Sequence, residues 1–344
     1  MRTTLYLILL VFIIGNGYSQ TKTMTMKEYN WLPSECAPKD YPIYLHKAHF
    51  KTNNGNVISI PNKRLVKNGW GTIGSTHIVG DALKAIPNEL FISWFSVAEN
   101  KYYEGNYILP TNIIQALFEV ETIHTRTQQK VKYKRIITGL APGGLISIWL
   151  AGPGIQKEVA SFRALENEIE WNELFPAMQM NRKEYVEFIL NKDTDAATRQ
   201  LITAGNIPLT KWKEYQKKYN WELKLTHKDN FRSKTAMIEM VNGEKEMVFI
   251  KTNITEFKET AIPNYFRIAW DDKNHNSYAS KVYLDKDEIF ETFKKLYESE
   301  ESHNEMRIAI EIDRYNSMIV VFVENKSEKI ALKNVKVKIY EAQS

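Results

Sequence analysis

The sequence predicts an α+β fold made of two tandem copies of an antiparallel-sheet module, each with one covering helix, joined by a helical connector. Three observations predict it. The segment Ala85–Asn88 recurs as Ala261–Asn264, and the match continues without a gap. Apolar residues then alternate with a period of two, which is typical of strands, and a short amphipathic helix follows in each copy. A sheet with an apolar face needs a second layer, which the helix is expected to supply.

Residues 1–19 are predicted to be a secretory signal peptide. Arg2 supplies the positive charge, the apolar run over residues 5–14 is shorter than the ~20 residues that span a bilayer, and Ser19 is small enough for cleavage. We expect the mature chain to begin at Gln20, to be periplasmic or secreted, and to have no transmembrane segment. A retained membrane anchor is the alternative, although no charged stop-transfer segment follows the apolar run.

The single cysteine, Cys36, lies well past the expected cleavage site. A lipoprotein carries its lipid on a cysteine at that site, so we expect no lipid anchor. One cysteine also excludes an internal disulfide. The mature chain is long enough for two domains that each bury a self-sufficient core.

Residues 20–160 are assigned to the first module. A strand is predicted around Trp94, and a second strand follows a polar turn. A helix with Ile113 and Leu117 on its apolar face comes next. Two further strands complete the module, over residues 133–138 and 145–150.

Residues 161–218 form the predicted helical connector. Asn181 and Glu184 make a capping box before an apolar helix face, and Thr210 can cap a later helix. A regular amphipathic connector favours a packed joint between the modules over a flexible tether.

Residues 219–344 are assigned to the second, diverged module. The gapless match pairs Ile92/Ile268, Trp94/Trp270, Tyr102/Tyr278, Ile113/Ile289 and Leu117/Phe293. A slipped register extends the match to the turn Asn54–Gly55, which reappears as Asn242–Gly243. Asp285 and Glu288 make a predicted capping box in the second helix. Side chains shared by both copies are interpreted as structural, because a duplicated module keeps what its core needs.

Basic residues are in excess in the first part of the mature chain but not in the second. Residues 20–218 hold 25 basic and 19 acidic residues, a net charge of +6, whereas residues 219–344 hold 20 and 22, a net charge of −2. No run of Lys and Arg with interleaved aromatic residues occurs, and export removes nucleic acid as a partner. An acidic partner or an anionic surface fits the charge of the first part.

Two glycine-containing segments occur in the first copy only, Gly69–Trp70–Gly71 and residues 139–144. Small residues let the backbone approach a partner closely. We predict a binding loop beside two tryptophans, with the candidate residues Trp70, Gly71, Pro142, Gly143, Gly144 and Trp149. A wide hairpin connection without a binding role is the alternative. No Gly-Lys-Ser/Thr follows the second segment, which argues against a phosphate-binding loop.

Recognisable catalytic motifs and typical sets of metal ligands are absent from the sequence. Neither Gly-x-Ser-x-Gly nor His-Glu-x-x-His occurs. His46 and His49 stand in a predicted strand, where residues three apart point to opposite faces, so we do not expect them to share a metal ion. We predict no catalytic residue, no metal and no cofactor.

Several motifs of the first copy resemble those of a known bacterial family. They are Gly69–Trp70–Gly71, Ile86–Pro87 followed by Trp94, and Gly139 to Gly144 followed by Trp149. Together they resemble the family described as domain of unknown function 2931, clearly over residues 31–163 and faintly over residues 219–344. The resemblance implies an envelope protein, in its most specific form an immunity protein, and it supplies no catalytic residues to transfer.

The leading hypothesis is an exported, non-enzymatic binding protein that meets a protein or an envelope component through its first module. An immunity protein is the most specific form of this hypothesis. A hydrolase of envelope polymer and a structural scaffold without a dedicated site are the alternatives. The sequence leaves the identity of the partner and the oligomeric state open.

Overall fold

The computed structural model describes residues 27–75, 78–298 and 305–342. Strands account for 47% of the structure and helices for 16%, and the strands form several sheets. The protein is therefore mostly β, and the predicted α+β class with one covering helix per module is wrong. The reason is that the strands of each module divide between two sheets, which pack on each other and close the core. The predicted signal peptide, residues 1–19, lies outside the described residues.

The first half of the molecule comprises residues 27–167. Its strands are β1 (Leu32–Cys36), β2 (Ile43–Thr52), β3 (Val57–Ser59), β4 (Arg64–Val66), β5 (Pro87–Ser96), β6 (Lys101–Ile108), β7 (Glu121–Ile123), β8 (Lys130–Lys132), β9 (Arg135–Ala141), β10 (Leu145–Gly152), β11 (Ile155–Arg163) and β12 (Leu165–Asn167). Helix α1 (Thr111–Glu119) lies between β6 and β7. Strand β11 continues past residue 160, the expected end of the first module.

The connector between the halves consists of helices and loops after β12. It contains α2 (Trp171–Leu174), α3 (Arg182–Asp193), α4 (Ala196–Thr203) and α5 (Lys211–Glu214). It packs against both halves: Leu174 and Tyr185 contact Phe95 of β5, and Trp212 joins the apolar core of the second half.

The second half comprises residues 219–342. Its strands are β13 (Tyr219–His227), β14 (Phe231–Met240), β15 (Lys245–Phe249), β16 (Lys258–Thr260), β17 (Pro263–Asp272), β18 (Ser277–Leu284), β19 (Glu305–Ile312), β20 (Ile319–Glu324), β21 (Lys329–Ala331) and β22 (Val335–Glu341). Helix α6 (Lys286–Tyr297) lies between β18 and β19. Across the described part of the chain, the helices are too short or too polar to cross a membrane.

One of the two predicted capping boxes is present. Asn181 accepts a hydrogen bond from the backbone N–H of Glu184 at 3.0 Å, and the Glu184 carboxylate accepts one from the N–H of Asn181 at 2.9 Å. Asp285 caps α6 in the same way, but the Glu288 carboxylate accepts a hydrogen bond from the backbone N–H of Lys333 instead. That carboxylate therefore fixes the segment before β22, which the sequence did not predict.

Three main sheets organise the chain. A nine-stranded sheet of order β1-β9-β10-β11-β15-β14-β17-β18-β22 crosses from the first half to the second. A six-stranded sheet belongs to the first half, with the order β12-β6-β5-β2-β3 and β4 paired with β2, and a five-stranded sheet of order β16-β13-β19-β20-β21 belongs to the second. Strands β7 and β8 form a separate hairpin.

Each half is a sandwich of two sheets with its helix at one side. In the first half, Ile92 and Trp94 of the six-stranded sheet share a core with Ile136 and Ile148 of the nine-stranded sheet. The corresponding core of the second half contains Leu223, Ile268, Trp270, Ile308 and Phe293. The alternating apolar residues of each strand face inward between the sheets, as in other sandwiches.

The strand pairing of the second half repeats that of the first. Strand β1 pairs in parallel with β9, and β13 with β19; the order β2-β5-β6-β12 recurs as β14-β17-β18-β22. The turns Asn54–Gly55 and Asn242–Gly243 occupy equivalent places. Trp94 and Trp270 are both fully buried, as predicted. The repeated pairing supports the interpretation that the two halves arose by duplication.

The gapless match shifts by one residue after the turn that joins β5 to β6. Trp94 lies opposite Tyr103 and stacks on it with ring centroids 5.2 Å apart, whereas Trp270 lies opposite Tyr278 and stacks on it at 5.8 Å. Tyr278 therefore corresponds to Tyr103 and not to Tyr102. The sequence match could not reveal this shift, because tyrosine occupies both positions.

The same one-residue shift extends into the helices. Ile113 is 45% exposed, while the next residue, Ile114, and Ile289 of α6 are fully buried. The residues that correspond are Ile114/Ile289 and Phe118/Phe293, so the predicted pairs Ile113/Ile289 and Leu117/Phe293 are wrong.

Candidate functional site

Three of the six predicted binding residues lie where the two halves meet. The ring of Trp70 packs edge-on against Trp149 with centroids 5.0 Å apart, and the indole N–H of the buried Trp149 donates to the carbonyl of Asn242 at 3.2 Å. A Cβ on Gly71 would come within 2.6 Å of the Cα of Gly243. Trp70, Gly71 and Trp149 therefore hold the second half against the first, and we call this contact region the joint.

A buried glutamine fastens the joint. The side-chain amide of Gln156 donates to the carbonyls of both Gly71 and Gly243, each at 2.7 Å. Gln156 also pairs in register with Lys245, and this pair makes β11 and β15 neighbours in the nine-stranded sheet. The segment around Gly71, which occurs in the first copy only, packs against the turn at Gly243. The sequence analysis did not single out Gln156, which no motif marks.

Two carboxylates lie beside the joint. Glu244 is 3% exposed, pairs with Lys157 at 2.8 Å and accepts a hydrogen bond from the N–H of Glu158 at 3.1 Å. Burial and the charge of Glu244 raise the pKa of Glu158 to about 7, against hydrogen bonds from Ser147 and Gln216 that favour its charged form. The joint therefore gains a negative charge near neutral pH.

The other three predicted residues form the turn between β9 and β10, which other parts of the chain cover. The N–H of Gly143 donates to the Glu99 carboxylate at 2.9 Å, and a Cβ on Gly143 would lie 3.0 Å from the carbonyl oxygen of Leu209 in the connector. Pro142 and Gly144 are buried. The predicted open binding loop is thus packed beneath the connector, and the six candidate residues do not form one exposed surface.

The two histidines of β2 contact different neighbours. A β-bulge at His46 interrupts the alternation, so His46 and His49 lie on the same side of the sheet, contrary to the prediction. His46 is hydrogen-bonded through Nδ1 to the hydroxyl of Tyr102 at 2.9 Å, and His49 stacks on Phe91 at 5.2 Å. Within the described ranges, no group of three His, Cys, Asp or Glu side chains is arranged to hold a metal ion.

A cleft opens on the outer face of the second half, the side of β15-β14-β17-β18-β22 that points away from the core. One row of register partners crosses these five strands: Phe249, Thr235, Ala269, Ala279 and Tyr340. The three middle side chains are small and form a floor, and an aromatic ring stands at each end. With strands about 4.8 Å apart, the row spans roughly 19 Å.

The hairpin β7–β8 of the first half covers part of this floor. Its residues Thr125, Arg126 and Gln128 line the cleft, and Thr125 is only 8% exposed although it lies at the tip of a hairpin. An ion pair between Glu121 and Lys130 at 2.7 Å braces the two strands of the hairpin. The space between the hairpin and the floor, which we call the hairpin cleft, is open to solvent on one side and has a volume of about 580 Å³.

Positive charge is concentrated on this face. Arg267 lines the cleft and lies in one register row with Lys281 and Lys338. Its Nε donates to the hydroxyl of Tyr340 at 3.2 Å, and in the part of the chain that the structure describes, Arg267 forms no ion pair with a carboxylate. Burial, followed by the charges of Arg126 and Arg267, lowers the pKa of His124, so this histidine is neutral at pH 7.

The acidic residue beside the cleft is already paired. Asp271 accepts hydrogen bonds from Lys234 at 2.8 Å and from Arg232 at 3.1 Å. Burial alone would raise its pKa, but the hydrogen bonds from Lys234 and Ser277 outweigh burial and hold the pKa below the ordinary range. Asp271 is therefore ionised at neutral pH and its charge is neutralised locally, which leaves Arg126 and Arg267 as lining cations without an ion-pair partner among the described residues.

Sequence analysis missed this site, although one signal for it was present. Residues Val335 to Lys338 alternate valine with lysine, so both lysines of β22 lie on the face opposite the core. The net charge of −2 for residues 219–344 hides this local excess of positive charge.

The chain matches one known protein family over more than half of its length. The model described as "Protein of unknown function (DUF2931)" matches residues 18–210, more than half of the chain. The matched segment contains the first half and the hairpin tip, but not the strands that form the floor of the hairpin cleft. Among curated proteins and solved structures, nothing matches this chain. The family match confirms the resemblance seen in the glycine and tryptophan motifs, and the chain belongs to the DUF2931 family of proteins of unknown function.

Proposed function

We propose that this protein is an exported, non-enzymatic binding protein that takes a ligand from the cell envelope into the hairpin cleft. The observation that carries the proposal is the cleft itself. Its volume of about 580 Å³ falls in the range of small-molecule sites, and it combines an apolar floor with a few convergent polar groups. Arg126 and Arg267 line the cleft, and no carboxylate of the described residues forms an ion pair with them. A role in binding a ligand explains these free charges better than a role in holding the fold together.

The proposal keeps the binding class inferred from the sequence and changes the location. Trp70, Gly71 and Trp149 pack at the joint between the halves, and the connector covers the Pro142–Gly144 turn. These residues are therefore not free to bind a ligand. The hairpin cleft, by contrast, uses residues of both halves, because Arg126 belongs to the first half and Arg267 to the second. A ligand in the cleft would therefore touch both halves.

The state of the nearest carboxylate favours binding over hydrolysis. General acid catalysis needs a group whose pKa lies near the working pH. The pKa of Asp271 is held low by Lys234 and Ser277, so this carboxylate keeps its charge and has no proton to give at neutral pH. Glu341, the other acid at the cleft, stands exposed at the rim.

Export is supported by the apolar run over residues 5–14, and the burial of Cys36 supports the expectation that the chain carries no lipid. Cys36 is fully buried in β1, and burial raises the pKa of its thiol to about 12, so the folded chain offers no accessible thiolate for modification. We expect the mature protein from the periplasmic fraction to begin at Gln20 without acyl chains. Intact mass spectrometry checks this, and a mass that includes residues 1–19 or a lipid would contradict it.

The cleft is tested by filling it. Ala269→Trp places an indole on the floor, whereas Asn106→Trp places the same indole on an exposed position of the first half's outer face. Immobilised mature protein is incubated with soluble envelope fragments of the host, and the retained compounds are measured by mass spectrometry. We expect about a tenfold or larger loss of retained ligand for Ala269→Trp and none for Asn106→Trp, with both variants keeping the wild-type melting temperature. Equal retention by Ala269→Trp would refute the cleft as the site.

A further inference from the structure

We infer that the hairpin cleft recognises a carboxylate carried on a ring, with Arg126 and Arg267 binding the carboxylate and the alanine floor receiving the ring. This inference rests on the proposed binding function and specifies the chemistry of the ligand. It follows from three features of the cleft, which are its charge, its floor and its polar lining.

The charge of the cleft selects an anion. Arg126 comes from the hairpin tip and Arg267 from β17, so a group between them is approached from two elements. Both arginines line the same cleft, so their positive charges add in one space. Planar guanidinium groups match the geometry of a carboxylate and bind it through paired hydrogen bonds.

The surrounding charges leave these two arginines available. Lys234 forms an ion pair with Asp271. Among the described residues that line the cleft, Glu341 is the only acidic one, and it lies at the rim. Lys281 lies next to Arg267 in the same row and adds to the positive potential. The cleft therefore has a net positive charge, and a carboxylate of a ligand would reduce it.

The floor of the cleft favours a flat body behind that carboxylate. Ala269 and Ala279 are direct register partners in the middle of the sheet, so a ring can lie against the strands without meeting a large side chain. Phe249 and Tyr340 bound the floor at its two ends and offer apolar and aromatic surface. The Tyr340 hydroxyl already accepts a hydrogen bond from Arg267, which orients both side chains.

The polar lining is compatible with two sources of a ring-borne carboxylate. Thr235, Ser277 and Gln128 line the cleft and can hydrogen-bond to hydroxyl groups of a sugar acid. The aromatic ends can equally contact an aromatic acid. The shared chemistry is the carboxylate on a ring, and the experiment below distinguishes the two sources.

The experiment is a calorimetric titration of the mature protein with four probes. Glucuronate and benzoate carry the carboxylate on a sugar ring and on an aromatic ring, and glucose and benzamide are their neutral counterparts. We expect at least one acid to bind about tenfold or more tightly than its neutral counterpart, since a charge-assisted hydrogen bond is lost with the carboxylate. Preference for glucuronate would identify a sugar acid, and preference for benzoate an aromatic acid.

Matched variants connect that binding to the arginines. Arg126→Ala and Arg267→Ala should each weaken the preferred acid about tenfold or more, while Lys294→Ala on helix α6 removes the same charge outside the cleft and should leave the affinity unchanged. Melting temperatures confirm that each variant is folded. Equal affinity for the acid and its neutral counterpart, equal affinity of Arg267→Ala and wild type, or no binding of either acid would overturn the inference.

The outcome also separates this inference from the proposed function. If Ala269→Trp abolishes retention of the envelope ligand while neither acid binds the wild type, the cleft is the binding site and its assigned chemistry is wrong. If Ala269→Trp retains the ligand, the site itself is wrong and the chemistry fails with it.

Discussion

The outer faces of the two halves differ although the strands beneath them are paired alike. On the first half, Phe95 and Tyr102 are direct partners at the end of β5 and β6, and the connector helices cover both. The corresponding partners of the second half are Asp271 and Ser277, which are polar and engage Lys234. The same scaffold thus carries a covered face in one half and an open face in the other.

The contrast continues into the rows next to this pair. Arg267 and Lys281 are register partners on the second face, and the residues in the same places on the first face are Phe91 and Asn106. The row of the first face is uncharged and therefore attracts no ionic ligand. The two adjacent cations of the second face repel each other, and a bound anion would relieve this repulsion. Repetition of a fold therefore does not repeat its surface chemistry, and this difference between the copies is the reason that we propose the second face for binding.

The joint between the two halves contains a partly buried glutamate, Glu158. The largest effect that we predict is the change of stability with pH that this glutamate causes. Glu158 has a folded-state pKa raised from 4.5 to about 7, so its contribution to stability is fully present below pH 4.5 and is lost as the pH rises through about 7. We expect this group alone to lower the free energy of unfolding by on the order of 3 kcal/mol between pH 4.5 and 8.

Urea unfolding of wild type and Glu158→Gln across that pH range measures the effect. The variant should show a flatter dependence of the unfolding free energy on pH, because its side chain does not ionise. A pH slope in the variant as steep as in wild type would show that Glu158 does not control the joint.

A smaller effect is expected from the turn glycines, which provide a matched pair between the halves. Gly55 and Gly243 occupy equivalent turns with φ of +85° and +89°, so alanine costs each about 1–2 kcal/mol of backbone strain. A Cβ on Gly55 meets nothing within 4 Å, whereas a Cβ on Gly243 would lie 2.9 Å from the Cα of Gly71.

The difference between the destabilisations caused by the two substitutions measures how tightly the joint is packed. Gly243→Ala should destabilise the protein by about 1–3 kcal/mol more than Gly55→Ala, because the joint cannot accommodate the added methyl group. Chemical denaturation of both variants checks this. Equal destabilisation would mean that the turn of the second half does not pack on Gly71 as described.

The sequence predicted local features better than the arrangement of sheets. The capping box at Asn181, the burial of Trp94 and Trp270, and the equivalent Asn-Gly turns depend on residues close in the chain or on simple burial, and the structure contains all of them. The second sheet of each half was missed because the predicted strands divide between two sheets, with β5 and β6 in one and β9 and β10 in the other, and the periodicity of a strand does not show which sheet it joins. The one-residue shift after Trp94 was hidden by adjacent tyrosines.

The hairpin cleft could not be predicted because its parts are distant in sequence. Its floor row joins β14, β15, β17, β18 and β22 through four separate registers, and its cover comes from the first half. A one-residue change in any register would turn a strand over and remove its side chain from the row. The glycine segments that did stand out in the sequence serve the joint and the turn beneath the connector, where close backbone approach is also needed.

Hydroxyl-radical footprinting of the mature protein tests the contrast between the two faces most directly. Phe249 and Tyr283 on the second face are each 46% exposed, whereas Phe95 and Tyr102 on the first face are 1% and 4% exposed. We predict rapid oxidation of Phe249 and Tyr283 and little oxidation of Phe95 and Tyr102, read residue by residue by mass spectrometry. Equal oxidation of the two pairs would show that the connector does not close the first face, and it would contradict the assignment of binding to the second.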